Sequence, residues 1–187
     1  IVTRALPDMD EVNLITIIPR GMAGGFTSFL PPDDRNYMSK NQMKNELVTL
    51  LGGRAAEALV LDDISTGASN DIERATGLAR SMIVKYGMNE DLGPVAYEEG
   101  NNNVFLGNDI GKVRTYSEKT AVEIDKAIRT IMKDSMSRAM KILSDNREAL
   151  EQVAQSLLEK ETLHKEEFEN IFLQYGNTVG ENKEETI

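Results

Sequence analysis

The side chains that could do chemistry lie closest together in the segment STGASND, at residues 65–71. Ser, Thr, Asn and Asp converge there at the predicted start of a helix, where backbone N–H groups lack intrahelical partners and negative charge is favoured. Asp71 is therefore a candidate functional residue. The same pattern also fits an ordinary role, because an Asp in the first turn of a helix is most often a capping or dipole partner.

Other catalytic patterns are missing from the sequence. It has one His and no Cys, and it contains neither a Gly-x-Ser-x-Gly elbow nor a phosphate-binding GxxxxGK[ST] loop. The single histidine, His164, is followed by Lys165, Glu166 and Glu167, so we interpret it as a solvated surface residue.

The composition is that of one soluble globular domain. Of the 187 residues, 40% are hydrophobic and 28% are charged, and the formal net charge is -10. This charge disfavours nucleic acid and anionic lipid as partners, because binding phosphate needs a field of Lys and Arg. The absence of Cys excludes disulfides and thiolate metal sites, and no run of 18 apolar residues could span a membrane.

The first half of the chain predicts a small sheet followed by helices. Residues 11–19 and 26–30 are short apolar runs bounded by Pro and Gly, which is typical of strands. Ser39 and Gln42 form a capping-box pattern that opens a helix as far as Leu59, interrupted by Gly52-Gly53, where we expect close packing against a neighbour. A second helix runs from Ser69 or Asn70 to Gly87.

The second half predicts a helical bundle. Residues 95–97 and 104–106 flank a Gly/Asn-rich turn and favour a hairpin, and residues 117–143 have the three- and four-residue apolar spacing of one long helix. Two more helices follow, the last opened by Thr162. We therefore predict a mainly α fold, a helical bundle with a small β-sheet or hairpins in the N-terminal half. Residues 1–176 form its single domain, and residues 177–187 form a disordered acidic tail.

Five motifs in a fixed order resemble one known family. These are TIIPRG at residues 16–21, LGGRAAE at 51–57, STGASND at 65–71, YGM at 86–88 and LGP at 92–94. Together they resemble the peptidase domain of FtsH-type ATP-dependent zinc metalloproteases, over residues 1 to about 173.

The resemblance implies a zinc endopeptidase that cuts unfolded and membrane proteins. In that family an HExxH helix supplies two histidine ligands and a glutamate base, and a distant Asp supplies the third ligand, which matches Asp71 here. The resemblance also implies an ATP-using AAA module, a hexameric ring, polypeptide substrates and membrane-spanning segments outside this chain. The expected location is the cytoplasmic face of the bacterial inner membrane, or the interior of an organelle.

The sequence departs from the family in one decisive respect, since HExxH occurs nowhere in it. The motif order places the missing second histidine just ahead of Ile1. A single Asp cannot hold catalytic zinc, which normally has three protein ligands, so we expect no zinc binding and no peptidase activity from these residues alone. The alternative is a non-catalytic protein on the same scaffold, either a pseudoprotease or an oligomerisation or interaction module.

The resemblance implies further roles for two segments. Phe26, Thr27, Ser28 and Phe29 match an edge strand beside the active-site cleft, onto which an extended substrate could add through main-chain hydrogen bonds. An ordinary sheet edge explains this strand equally well. Glu57 matches a helix behind the zinc site, where its carboxylate could orient a ligating histidine from the second shell. A second interpretation is that Glu57 is a surface residue or a partner in an ion pair. Arg54 could pair either with Glu57 or with Asp63.

We also expect the chain to form a homo-oligomer. Without the zinc-binding helix, the apolar faces of the helices that carry Met43 and Ile72 would be uncovered.

Overall fold

The computed structural model describes residues 1–21, 24–30, 37–97 and 116–179. Within these residues helices predominate over a small antiparallel sheet, which confirms the predicted mainly α fold class. The elements in chain order are α1 (Val2–Ala5), β1 (Glu11–Thr16), β2 (Phe26–Leu30), α2 (Lys40–Leu50), α3 (Gly52–Val60), α4 (Ser69–Arg80), α5 (Glu118–Asp145), α6 (Arg147–Lys160), β3 (Thr162–His164) and α7 (Lys165–Tyr175). A 3-10 turn (Thr66–Ala68) precedes α4, and a π-helical segment (Ser81–Lys85) follows it.

The helix predicted from Ser39 to Leu59 is two helices. The capping box at Ser39 and Gln42 is present, but α2 ends at Leu50, and α3 starts at Gly52 after Leu51. Glycine is a weak helix former, so a break at the glycine pair is inexpensive. A Cβ at Gly52 would lie 3.2 Å from Cγ2 of Val2, which confirms close packing at this position and identifies α1 as the neighbour.

The sheet has the order β2-β1-β3, with both neighbours antiparallel to β1. The two predicted strands are confirmed, whereas β3 was missed. The prediction that Thr162 opens a helix is wrong, because Thr162 pairs with Thr16 in the sheet and α7 begins at Lys165. Glu161 has a left-handed backbone (φ 62°) that ends α6 and turns the chain into this short strand.

The long helix α5 organises the helical part. Its 28 residues span about 42 Å at 1.5 Å per residue. It packs against α2, α3, α4 and α6, and α6 packs against α7. The predicted core positions that are buried on α5 are Ile124, Ser135, Ala139 and Ile142. These contacts confirm the predicted bundle.

Two predictions fall partly outside the described residues. Of the expected hairpin, residues 95–97 form no strand, and residues 104–106 lie outside the described part of the chain. Of the expected tail, residues 177–179 are described and residues 180–187 are not, so its disorder stays a prediction. No helix in the described part of the chain is long and apolar enough to cross a membrane.

The argument for self-association from an uncovered α2 is wrong. Met43 is only 4% exposed, because it packs with Leu47, Ala75 and Met82 in a core between α2 and α4. Ile72 is partly buried against the same core. The homo-oligomer itself stays a prediction.

Candidate active site

Ser65, in the loop after α3, is held by two side chains of that helix. Arg54 donates a hydrogen bond from Nη1 to the carbonyl oxygen of Ser65 at 3.0 Å. The Glu57 carboxylate accepts one hydrogen bond from the Ser65 N–H at 3.2 Å and another from the Ser65 hydroxyl. Every polar group of Ser65 therefore has a partner, and the loop is tied to α3 at this residue.

Glu57 is ionised in this arrangement. Its pKa is lowered from the ordinary value of 4.5, first by the two hydrogen bonds from Ser65 and then by the nearby Arg54. Arg54 Nη1 lies 3.5 Å from Glu57 Oε2, with 22% of each side chain exposed. Of the two partners considered for Arg54, the structure selects Glu57, since the Asp63 carboxylate accepts from the N–H of Ile64 at 2.7 Å.

The loop runs from Ser65 directly into the helix that carries Asp71. The Ser65 hydroxyl accepts a hydrogen bond from the N–H of Gly67 at 3.1 Å and caps the 3-10 turn. Ala68, at the end of this turn, is buried, and α4 follows with Asp71 in its first turn. The prediction that Ser69 or Asn70 caps α4 is wrong, because its N-cap residue is Ala68 without a side-chain cap, and Ser65 caps the 3-10 turn before it.

Asp71 is accessible and only weakly paired. Its Oδ1 lies 3.6 Å from Nη1 of Arg74, one helical turn later, and 46% of the Asp71 side chain is exposed. An exposed ion pair of this length contributes little stability, so a ligand could replace Arg74 at small cost. The negative charge also suits the helix start, where the backbone N–H groups carry partial positive charge.

Glu46 connects this helix start electrostatically to the residues that follow α1. Burial raises the pKa of Glu46 from 4.5, Arg74 acts in the opposite direction, and Asp10 adds to the increase. The Glu46 carboxylate on α2 is thus within range of charges on α4 and on the connection from α1 to β1. The packing of the helices agrees with this central position of Glu46, because α2 packs against both α1 and α4.

Asp71 has the chemistry of one metal ligand. A half-exposed carboxylate fixed at a helix start is a suitable oxygen ligand for zinc. Among residues 1–21, 24–30, 37–97 and 116–179, however, no three His, Cys, Asp or Glu side chains come together as a metal site would require. The role of Asp71 as a zinc ligand thus stays a prediction.

His164 lies apart from Asp71. It is the N-cap residue of α7, exposed, and paired with Leu14 in the sheet, whereas Asp71 lies on α4. Its backbone N–H donates to the Glu167 carboxylate at 3.2 Å, which makes it part of a capping arrangement. The interpretation of His164 as a surface residue agrees with this position.

Strand β2 forms an edge of the sheet among the described strands. Its residues pair with β1 in the register Thr16↔Phe26 to Glu11↔Leu30, with an irregularity between Val12 and Leu14. Phe26 and Phe29 are 36% and 38% exposed, Thr27 is exposed and Ser28 is half-buried. Gly25 is required at the start of the strand, since a Cβ there would lie 2.4 Å from the Thr16 carbonyl oxygen.

Sequence reasoning considered the Arg54–Glu57 ion pair but missed that both side chains bind Ser65. The role of Glu57 in orienting a ligating histidine stays a prediction. A signal for this contact was present, because LGGRAAE and STGASND occur only 7 residues apart (residues 58–64). Two motifs separated by a short loop after a helix often touch each other.

Comparison with known proteins agrees with the motifs. The family model described as Peptidase family M41 matches residues 1–171. The protein named ATP-dependent zinc metalloprotease FtsH 1 of Thermoanaerobacter sp. (strain X514) is 52% identical over 172 residues, which cover 92% of this chain and 28% of that protein. ATP-dependent zinc metalloprotease FtsH of Veillonella parvula is 43% identical over 185 residues, 99% of this chain and 29% of that protein.

A third relative, ATP-dependent zinc metalloprotease FtsH of Bacillus subtilis (strain 168), is 43% identical over 167 residues, which cover 89% of this chain and 26% of that protein. The chain thus spans less than a third of the length of these relatives. The match to the family model nevertheless extends over the sheet, the Ser65 loop and the helical bundle. This chain is a member of peptidase family M41.

Proposed function

We propose that this chain is the greater part of the peptidase domain of an ATP-dependent zinc endopeptidase, in which Asp71 is the third zinc ligand. The observation that carries the proposal is the position of Asp71: its half-exposed carboxylate lies in the first turn of α4, directly after a loop held by Arg54 and Glu57. A ligand supported in this way keeps its position before the metal binds, which favours affinity.

The two remaining ligands come from an HExxH segment that precedes α1. In this proposal α1 is the last turn of the zinc-binding helix; it packs against α2, which in turn packs against α4. Two imidazoles and the Asp71 carboxylate would hold a zinc ion, and the bound ion would supply polarisation of a peptide carbonyl and activation of water. The contribution of this chain is to hold Asp71 and to fix the direction of the helix.

The edge strand β2 is the proposed site for the polypeptide substrate. An extended segment would add to β2 as a further strand, with the exposed Phe26 and Phe29 contacting its side chains. Main-chain pairing is largely independent of sequence, which suits an enzyme that degrades unfolded and membrane proteins.

In a protein with the HExxH segment, Phe29→Ser should raise KM several-fold with little change in kcat. Exposed Leu158→Ser, on α6, is the matched control.

The proposal extends to the whole protein. Peptidase domains of this kind would work as a homo-oligomeric ring, a hexamer, fed by an AAA module that uses ATP to unfold substrates. The membrane-spanning segments would lie outside this chain, with the domain at the cytoplasmic face of the bacterial inner membrane or inside an organelle. Residues 1–187 alone should neither bind catalytic zinc nor cut peptides.

Zinc affinity tests the proposal directly. In a protein that carries the upstream HExxH segment, Asp71→Asn should weaken zinc binding by at least about 100-fold in competition with a chromophoric chelator, since even loss of an outer-shell partner costs about 10–100-fold. The matched control is Asp62→Asn, an identical change on an exposed residue with a left-handed backbone that Asn tolerates. Equal affinity in both variants would refute the role of Asp71.

A pseudoprotease, or an oligomerisation or interaction module, is the second candidate. It is favoured by the lack of a three-ligand group among the described residues. The coding sequence immediately upstream of Ile1 separates the two functions. An HExxH motif ending just before Ile1 would support the peptidase, whereas any other sequence there would support the non-catalytic scaffold.

A further inference from the structure

Helix α1 is joined to α7 by a half-buried ion pair between residues 165 positions apart. Arg4 Nε donates to both carboxylate oxygens of Glu169, at 3.0 and 2.9 Å, and the two side chains are only 28% and 25% exposed. The Arg4 guanidinium also lies 4.9 Å from the centroid of the Phe172 ring. A charge-assisted hydrogen bond combined with a cation–π contact fixes both the position and the rotation of Arg4.

The backbone after α7 caps the end of α1. The N–H of Val179 donates to the carbonyl oxygen of Ala5, the last residue of the helix, at 2.8 Å. Carbonyl groups in the last turn of a helix lack intrahelical partners, so this hydrogen bond satisfies one of them. Ala5 is 1% exposed, which means that water cannot easily replace Val179 there.

The capping segment is itself anchored to the bundle. The N–H of Asn177 donates to Oδ1 of Asn146 at 2.6 Å. Asn146 is 2% exposed and lies at the junction of α5 and α6, where its Nδ2 donates to the Ile142 carbonyl oxygen at 2.8 Å. The path from the buried Asn146 to the buried Ala5 therefore runs through the hydrogen-bonded N–H groups of two exposed residues, Asn177 and Val179.

We infer that α7 and the segment after it are positioning elements for the metal site, and that they act through α1. This inference rests on the proposed function, in which α1 continues the zinc-binding helix. The second histidine would then lie within about two helical turns of Arg4, roughly 8 Å along a stiff rod. A small tilt or rotation of α1 would move that imidazole relative to Asp71. Glu169 and Val179 thus control the geometry of the metal ligands without touching the metal, although both are distant in sequence from α1.

Amide exchange in the chain itself tests the positioning step. The N–H groups of Ala5 and Leu6 are hydrogen-bonded within α1, to Ile1 and Thr3. Glu169→Ala should make both exchange about three- to tenfold faster while core amides of α5 are unchanged, the size expected for losing a typical intramolecular hydrogen bond. Glu166→Ala, an exposed residue on the same helix, is the matched control. No selective change at Ala5 and Leu6 would overturn the inference.

The backbone cap is tested separately. Val179→Pro removes the N–H that caps α1, whereas Val179→Ala shortens the side chain and keeps it. The proline variant should accelerate exchange at Ala5 and Leu6, and the alanine variant should not. Equal exchange in the two variants would contradict the capping role.

Zinc dissociation tests the link to the metal. In a protein that carries the upstream HExxH segment, Glu169→Ala should weaken zinc binding about 10-fold or more, as for other outer-shell changes, and Glu166→Ala should not. Faster exchange with unchanged zinc affinity would overturn this link. If the unsubstituted protein fails to bind zinc, the proposed function fails and the link fails with it, while the exchange results still decide whether α7 positions α1.

Discussion

The carboxylate of Glu57 accepts hydrogen bonds from both the N–H and the hydroxyl of Ser65, so the helix α3 holds the loop that begins α4. The third polar group of Ser65, its carbonyl, is bound by Arg54. Asp71 follows only six residues later, in the first turn of α4. The motif LGGRAAE thus contributes to the site by fixing the backbone from which the proposed metal ligand projects.

Removing the Ser65 hydroxyl should destabilise the chain. Ser65→Ala loses the cap on the 3-10 turn and one partner of Glu57, and a lost side-chain cap costs about 1 kcal/mol. Urea unfolding followed by circular dichroism measures this change. Ser69→Ala, an exposed serine at the start of α4, is the control and should stay within about 0.5 kcal/mol of the unsubstituted chain.

The interaction of Glu57 should also give a pH dependence in the acid range. Because its folded pKa lies below the ordinary 4.5, its stabilising contribution is fully present above that value and is lost as pH falls through the folded pKa. Glu57→Gln should therefore lower the free energy of unfolding at pH 7. Between pH 5 and pH 3, the free energy of unfolding should fall less in this variant than in the unsubstituted chain. Parallel urea midpoints for the two proteins over this range would argue against the Ser65 contact.

Glu46 should make stability depend on pH in the opposite direction to Glu57. Burial raises its folded pKa above 4.5, so its contribution to stability is present below that value and is lost as pH rises through the folded pKa. The substitution Glu46→Gln, which removes the charge, should raise the urea midpoint at pH 7 and change the midpoint little at pH 4. The exposed Glu73→Gln, on α4, serves as the comparison. A lower midpoint for Glu46→Gln at pH 7 would show that electrostatic attraction to Arg74 outweighs burial.

The two neighbouring glycines at the start of α3 should respond differently to alanine. At Gly53 a Cβ meets nothing within 4 Å, so Gly53→Ala should stabilise the chain by about 0.5–1 kcal/mol through helix propensity. At Gly52 the new Cβ would lie 3.2 Å from the buried side chain of Val2, and that contact should cancel the gain. Thermal unfolding of both variants measures the difference, and equal stabilisation would mean that α1 does not pack on α3 as described.

The sequence predicted the elements with long periodic patterns, and it failed where a contact distant in the chain decides the structure. The 28-residue α5 and the strands β1 and β2 carry clear local signals and are confirmed. The sequence predicts a helix start at Thr162, whereas residues 162–164 form a strand. Their strand structure depends on pairing with residues 14–16, which no local pattern indicates. The close packing expected at Gly52-Gly53 is likewise confirmed, but the neighbour, Val2, could not be identified from local patterns.

The candidate site was only partly predictable for the same reason. The position of Asp71 in the first turn of a helix is confirmed, because a helix start has local signals, whereas its role as a ligand stays a prediction. The roles of Glu57 and Arg54 depend on which loop atoms they reach, and hydrogen-bond partners cannot be derived from spacing alone. Arg4 and Glu169 gave no signal, because charged residues 165 positions apart share no local pattern.

The metal coordination in a zinc-loaded protein that carries the HExxH segment tests the central claim most directly. A crystal structure or zinc absorption spectrum should place a carboxylate oxygen of Asp71 about 2.0–2.2 Å from the ion, with two imidazole nitrogens completing the protein ligands. Asp71→Asn should abolish that oxygen contact. A zinc ion coordinated fully without Asp71, with its carboxylate still paired to Arg74, would contradict the account.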